Sequence, residues 1–356
     1  PVSVLRRRGY LGAITTAVGG VALALLTLDS SELERPLGVG LAVAAGVALA
    51  PALGLIGELF TADNWRPVKR IAARSKSGPG PVVLAGIGDA TRAGSLMLVT
   101  VAAAMVVAYR AGEFAAAGGG TYGIAVAAVG VVSTLGFSSI GSLFAPIART
   151  AGRIGESAPE VQSEAAEALA AAGSASGSVA STIIVGAGIS TAFALLLSLR
   201  TTTGFGAADL GDGAVLLGFV VGAAIPLFAA GAAAGTRTDE ASAWTEIIRL
   251  VGPVSVAVAV PTVLGVIDLG VLRGFITGAV GVGLGVAGFL VIAGGAWDNA
   301  RRVVETGAYG GPGSRAHRAV VTADSIGEPF REIAGPTIVT LLALMSAAAL
   351  AFSGAF

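Results

Sequence analysis

The chain has 356 residues, 54% hydrophobic and 12% charged, with 22 basic and 22 acidic residues and no net charge. A soluble globular domain carries about 25% charged residues, so a water-soluble fold is excluded and an all-α, polytopic transmembrane bundle is expected. Cysteine is absent and His317 is the one histidine, which excludes disulfides, thiolate chemistry and paired-histidine metal sites. Any divalent metal must then be held by oxygen, favouring Mg2+ or Ca2+, and the balanced charge excludes nucleic acid as a partner.

Runs of roughly 20 apolar residues mark spanning helices. Nine occur, at 10–28, 36–60, 83–109, 121–148, 174–199, 213–235, 248–267, 271–297 and 333–355. Arg6-Arg-Arg before the first run resembles a signal peptide, but no cleavage site follows and eight more runs do, so the first reads as a span. The chain begins at Pro1 without Met, which points to residues upstream.

The connectors alternate in charge. One set of loops holds 18 of the 22 Lys and Arg residues, leaving only Arg35, Arg110, Arg200 and Arg273 on the opposite side. The positive-inside rule places the basic side and the N-terminus in the cytosol, with the bilayer as partner and a plasma or inner membrane as location. Residues 1–356 read as a single transmembrane domain, with 61–81, 149–173, 236–248 and 300–332 as cytosolic loops and helix ends. Residues 121–156 read as one nearly continuous helix of about 54 Å, kinked at Pro146, and 163–199 as another overlong helix. Gly- and Ala-rich stretches such as Gly281-Val-Gly-Leu-Gly-Val-Ala-Gly288 fit close helix packing in lipid.

Four charged sets sit at the cytosolic ends. They are Glu58 and Asp63 with Arg66-Pro-Val-Lys-Arg70; Arg149 and Arg153 with Glu156; Asp298-Asn-Ala-Arg-Arg302 with Glu305; and Asp324 with Glu328, Arg331 and Glu332. In a regular helix, 324, 328, 331 and 332 fall within about 100° of arc and share one face. Charges beside lipid usually face a polar cavity. Two readings stand: ion-paired helix ends, or a convergent polyanion site in which carboxylates hold Mg2+ and arginines hold phosphate oxygens.

Three segments then carry a resemblance. Gly294-Gly-Ala-Trp-Asp-Asn-Ala-Arg-Arg302, Gly313-Ser-Arg-Ala-His-Arg-Ala319 and Asp324-Ser-Ile-Gly-Glu-Pro-Phe-Arg-Glu-Ile-Ala-Gly-Pro336 closely resemble the last two helices of membrane-integral, ion-pumping pyrophosphatases. Glu58-Leu-Phe-Thr61 is similar to that family's Glu-Tyr-Tyr-Thr, and Tyr122-Gly-Ile-Ala-Val-Ala-Ala-Val-Gly130 with Ala145-Pro-Ile-Ala148 to its eleventh helix. The resemblance covers helices eight to sixteen of a sixteen-helix fold, and implies a dimer.

The departures from the family pattern are chemically pointed. Ser142-Leu-Phe-Ala-Pro-Ile-Ala-Arg149-Thr-Ala-Gly-Arg153 stands where the family has Asp-Ala-Tyr-Gly-Pro-Ile-Ala-Asp-Asn-Ala-Gly-Gly, so two acids are lost and two arginines gained. The family's twelfth-helix Asp-Ala-Leu-Asp-Ala-Ala-Gly-Asn becomes Glu167-Ala-Leu-Ala-Ala-Ala-Gly-Ser174, and its lysine becomes Ser181. On the last helix Asp, Lys and Asp become Glu328, Arg331 and Glu332, preserving charge sign. The resemblance therefore implies Mg2+ at Asp298, Asp324, Glu328 and Glu332, a diphosphate held by Arg149, Arg153, Arg302, Arg331 and Asn299, and catalysis by Asp324, Glu328 and Glu332.

Hydrolysis needs a carboxylate to aim water. The lost acids lead to the expectation of an organic, prenyl diphosphate, ionised or cyclised with release of diphosphate. The alternatives are a divergent pyrophosphate-energised proton or sodium pump and a catalytically inactive partner subunit.

Overall fold

A computed structural model describes residues 2–28, 34–157, 164–204, 209–235 and 243–355. No strand occurs among them. Twelve α-helices follow one another: α1 (Val2–Thr27), α2 (Pro36–Thr61), α3 (Arg66–Arg74), α4 (Pro79–Ala115), α5 (Gly120–Ser133), α6 (Leu135–Ser157), α7 (Glu164–Thr203), α8 (Gly213–Gly235), α9 (Ala243–Ile267), α10 (Leu269–Glu305), α11 (Arg315–Pro329) and α12 (Gly335–Ala351). Eight helical stretches are long and apolar enough to cross a bilayer, and a shorter apolar stretch, Val251–Ile267, accounts for the remaining expected span.

α10 is the axis of the bundle. Its neighbours include α4, α7, α8, α11 and α12, and most of its uncharged length from Gly274 to Trp297 is buried. Asp268 caps it, accepting the Val271 N–H at 3.0 Å and so satisfying one orphan donor of the first turn. Against α8 the packing is backbone to backbone. Gly218 and Gly222 face Gly274 and Gly278, and a Cβ at Gly274 would lie 1.9 Å from the Val215 carbonyl oxygen. Lipid offers no hydrophobic drive between helices, so small residues that let backbones touch hold such a pair.

Two expectations are corrected. The helix read as nearly continuous over 121–156 is interrupted at one residue, Thr134, twelve residues before Pro146. There the Thr134 N–H bonds to the Val131 carbonyl, and its hydroxyl donates to the same oxygen at 2.7 Å. A side chain competing for the helix's own carbonyls produces the break without proline.

The second concerns 324–332. α11 and α12 are joined by a wide turn, Phe330–Ala334, in which the Gly335 N–H reaches back five residues to the Phe330 carbonyl. Pro329 and Pro336 supply no N–H to Ser325 and Glu332, four residues back, which loosens the ladder on either side of this turn. The register slips, and the four charges do not share a face. Asp324 and Arg331 are buried, whereas Glu328 and Glu332 are exposed.

Candidate functional site

The charged ends of α10 and α11 are folded onto each other by a glycine-rich reversal. α10 is uncharged from Gly274 to Trp297, then carries Asp298, Arg301, Arg302 and Glu305 in its last two turns. Gly307, Gly310, Gly311 and Gly313 all adopt positive φ, which glycine takes without penalty. Ser314 then caps α11, accepting the His317 N–H at 3.0 Å.

His317 fastens the two helices. Its Nδ1 accepts the Gly313 N–H at 3.2 Å, so Nε2 carries the proton and donates to Glu305 Oε1 at 3.2 Å. Arg301 continues the network, donating from Nε to Glu305 at 2.7 Å and from Nη1 to Asp324 Oδ2 at 2.9 Å. Burial would raise the Glu305 carboxyl, but Arg301 and His317 outweigh it and hold the group below the usual range.

Asp298 sits at the meeting point of three elements. Its Oδ2 accepts from Arg331 Nη1 at 2.8 Å and from the Ser174 hydroxyl on α7 at 3.1 Å. Arg331, with only 9% of its side chain exposed, also donates from Nη2 to Glu332 Oε1 at 3.2 Å. Ser174 in turn accepts from Arg302 Nη2 at 3.0 Å. Arg302 Nε is buried and has no acceptor, an unsatisfied donor of the kind that a ligand oxygen would complete. Asp324, outside the uncharged part of its helix, is pushed up to about 6 by burial and by the Asp298 carboxylate, despite its Arg301 contact.

Asp298, Asp324, Arg302, Arg331 and Glu332 thus converge with Ser174, while Glu328 stands at the exposed edge of α11. Asn299 is buried and donates to its own helix, at the Gly295 carbonyl, 3.0 Å away. The backbone of Arg149 and Arg153 lies in α6, but their side chains lie outside the described residues. Among the described residues, no group of three or more His, Cys, Asp or Glu side chains assembles around one point. Glu58 is buried and lines a mostly apolar cleft of about 290 Å³ with Tyr10, Thr134, Ser138, Phe144 and Ser176.

Sequence reasoning passed over Ser174, which appeared only as a family departure, and Asp89, a buried acid in α4 that binds Arg70 and Arg92. The signal for Asp89 was present as a charge pair inside an otherwise apolar run. Trp297 is also better understood in the fold. Its ring is buried against Gly86 and Gly327 and tilted against Phe330 at 6.3 Å, and its Nε1 donates to the Val82 carbonyl at 3.3 Å. It positions Asp298 by packing and does not belong to the polar cluster.

Comparison with known proteins places these observations in a family. A model described as "Inorganic H+ pyrophosphatase" matches residues 1–250 and 242–352. The chain is 30% identical over 348 residues to a "K(+)-insensitive pyrophosphate-energized proton pump" of Methanosarcina mazei, covering 87% of this chain and 52% of that protein. It is 30% identical over 409 residues to a proton pump of the same description from Caldanaerobacter subterraneus, covering 98% of this chain and 56% of the relative. A Clostridium tetani protein, provisionally named a K(+)-stimulated pyrophosphate-energized sodium pump, is 29% identical over 394 residues, covering 99% of this chain and 57% of its own length. The chain spans about half the length of these relatives.

Proposed function

The chain belongs to the inorganic H+ pyrophosphatase family, and from that premise we propose that its α7–α10–α11 cluster forms one wall of an inorganic pyrophosphate site at the cytosolic mouth of an ion pump. The observation that carries this reading is the unsatisfied Arg302 Nε beside the buried Arg331–Asp298 pair. Pyrophosphate supplies the missing acceptor, because arginine's fork of donors suits phosphate oxygens.

The residues divide into roles. Arg302, steadied by Ser174, binds a phosphate oxygen. Asp298 and Glu332 are close enough for one guanidinium, that of Arg331, to bridge them. Two carboxylates fit Mg2+, which is usually held by one or two carboxylates together with substrate phosphates and water. When bound, the ion would neutralise phosphate charge. Asp324 is the candidate general base: a carboxyl at about 6 is ionised at neutral pH yet basic enough to take a proton from water. This role replaces part of what the missing eleventh-helix acids would have supplied. Glu328, exposed and outside the cluster, receives no role. Asn299 is likewise given none; it donates one amide N–H to the Gly295 carbonyl of its own helix.

The relatives' names support the pump reading over a prenyl diphosphate enzyme, for which neither they nor the polar cluster give support. A homodimer of cytosolic-facing sites is part of the same proposal.

The test is turnover by the full-length protein, with inorganic pyrophosphate or prenyl diphosphates and with or without Mg2+. Pyrophosphate should be cleaved in a Mg2+-dependent way and should acidify vesicles or load them with sodium. Arg302→Gln should raise KM by about 10- to 100-fold, the worth of a charge-assisted bond, and Asp324→Asn should lower kcat. Cleavage of prenyl diphosphates with inorganic pyrophosphate untouched would overturn the reading.

A further inference from the structure

A second charged site lies on α3 and α4. Arg66, Lys69, Arg70 and Arg74 are exposed on α3, whereas Val68, Ile71 and Ala72 are buried. Across residues 63–92, six basic residues stand against two acids, Asp63 and Asp89. Asp89, 1% exposed, accepts on the same oxygen from Arg70 and, at 3.1 Å, from Arg92. The two arginines stay 51% and 68% exposed. Each guanidinium uses one donor on Asp89 and presents the others outward, so the acid aims two cations and cancels only one.

The depth of this cluster follows from α4. Arg92 and Arg110 bracket 17 uncharged residues, about 25 Å of helix against a hydrocarbon core of about 30 Å. Arg92 therefore sits at the hydrocarbon edge. It also heads an exposed apolar stripe, since Leu96, Val99 and Val106 follow it at helical spacing and are exposed.

We propose that Arg70 and Arg92, held together by Asp89, bind the phosphate of an anionic phospholipid whose acyl chain lies along Leu96 and Val99. The cations match an anionic headgroup, their depth matches a lipid phosphate, and the stripe beneath suits a hydrocarbon tail. Lys69 and Arg66 add to the field that draws anionic lipid to this face. The site is independent of the pyrophosphate cluster on α10 and α11.

The experiment measures lipid retained by full-length protein in mixed micelles of phosphatidylcholine and phosphatidylglycerol, by mass spectrometry. Losing both arginines alone would strand the buried Asp89 carboxylate, so the variant is Arg70→Gln with Asp89→Asn and Arg92→Gln. Wild-type protein should enrich phosphatidylglycerol, and the triple variant should bind it about 30-fold more weakly, with thermal unfolding in pure phosphatidylcholine unchanged. Arg74→Gln, which leaves the Asp89 cluster intact, should weaken binding by no more than about 5-fold. Equal retention of both lipids by wild type, or undiminished phosphatidylglycerol binding by the triple variant, overturns the proposal. Displacement of phosphatidylglycerol by inorganic phosphate reassigns the site to the free ion and overturns it too.

Discussion

Arg331→Gln is the sharpest test of the polar cluster. In the fold, the guanidinium is 9% exposed and donates to Asp298 at 2.8 Å and Glu332 at 3.2 Å. Glu332 is 43% exposed, so its half of the bridge contributes at most about 1 kcal/mol. Asp298 is 16% exposed and would lose a guanidinium partner at 2.8 Å. Removing one partner of a buried pair costs about 3–5 kcal/mol. Removing both charges, by Arg331→Met with Asp298→Asn, should be far cheaper than the sum of the single changes, with a coupling of about 2–3 kcal/mol. The assay is equilibrium unfolding of the purified protein by SDS in mixed micelles, followed by circular dichroism. A cost below about 1 kcal/mol for the single change, or strict additivity in the double variant, would refute the buried-pair argument.

Gly86→Ala would place a Cβ 2.0 Å from Trp297 Nε1. It should cost about 1–3 kcal/mol by overpacking, while Gly88→Ala, with nothing within 4 Å, should be silent in the same unfolding assay. Asp324→Asn should raise stability at pH 8 by about 1–3 kcal/mol. The wild-type carboxyl, at 3.8 when unfolded and about 6 when folded, binds its proton more tightly in the fold. Its ionisation penalty is therefore absent below about pH 4, grows between pH 4 and 6, and is complete above, so the two proteins should melt alike at pH 4. A non-hydrolysable diphosphate with Mg2+ should raise the melting temperature by mass action, and chelation or Asp298→Asn should remove that rise.

Much of the fold was legible because hydropathy over about 20 residues is a collective signal that no single contact can override. The end of α10 was legible for the same reason, since Asp298, Arg301, Arg302 and Glu305 follow a stretch that is uncharged from Gly274 to Trp297. The partners were not. Nothing in the chain says that Arg301 reaches Asp324 and Arg331 reaches Asp298, because those pairings depend on how the reversal at 307–313 docks α11. The expectation of one shared face for 324, 328, 331 and 332 assumed a regular period, and the wide turn at 330–334 spoiled it. Thr134 misled in the opposite sense. Proline at 146 is the louder signal, yet the helix is interrupted where a hydroxyl satisfies the backbone locally.

Trp297 also sets a distance between the two charged sites. Its ring is seated on Gly86, one turn from Asp89, and Trp297 is adjacent in sequence to Asp298. The Asp89 cluster and the Asp298 cluster thus flank one indole, packed between α4 and α11. An added Cβ at Gly86 or Gly327 would lie 2.0 or 2.7 Å from that ring, so these two glycines set how closely α4 and α11 approach the end of α10.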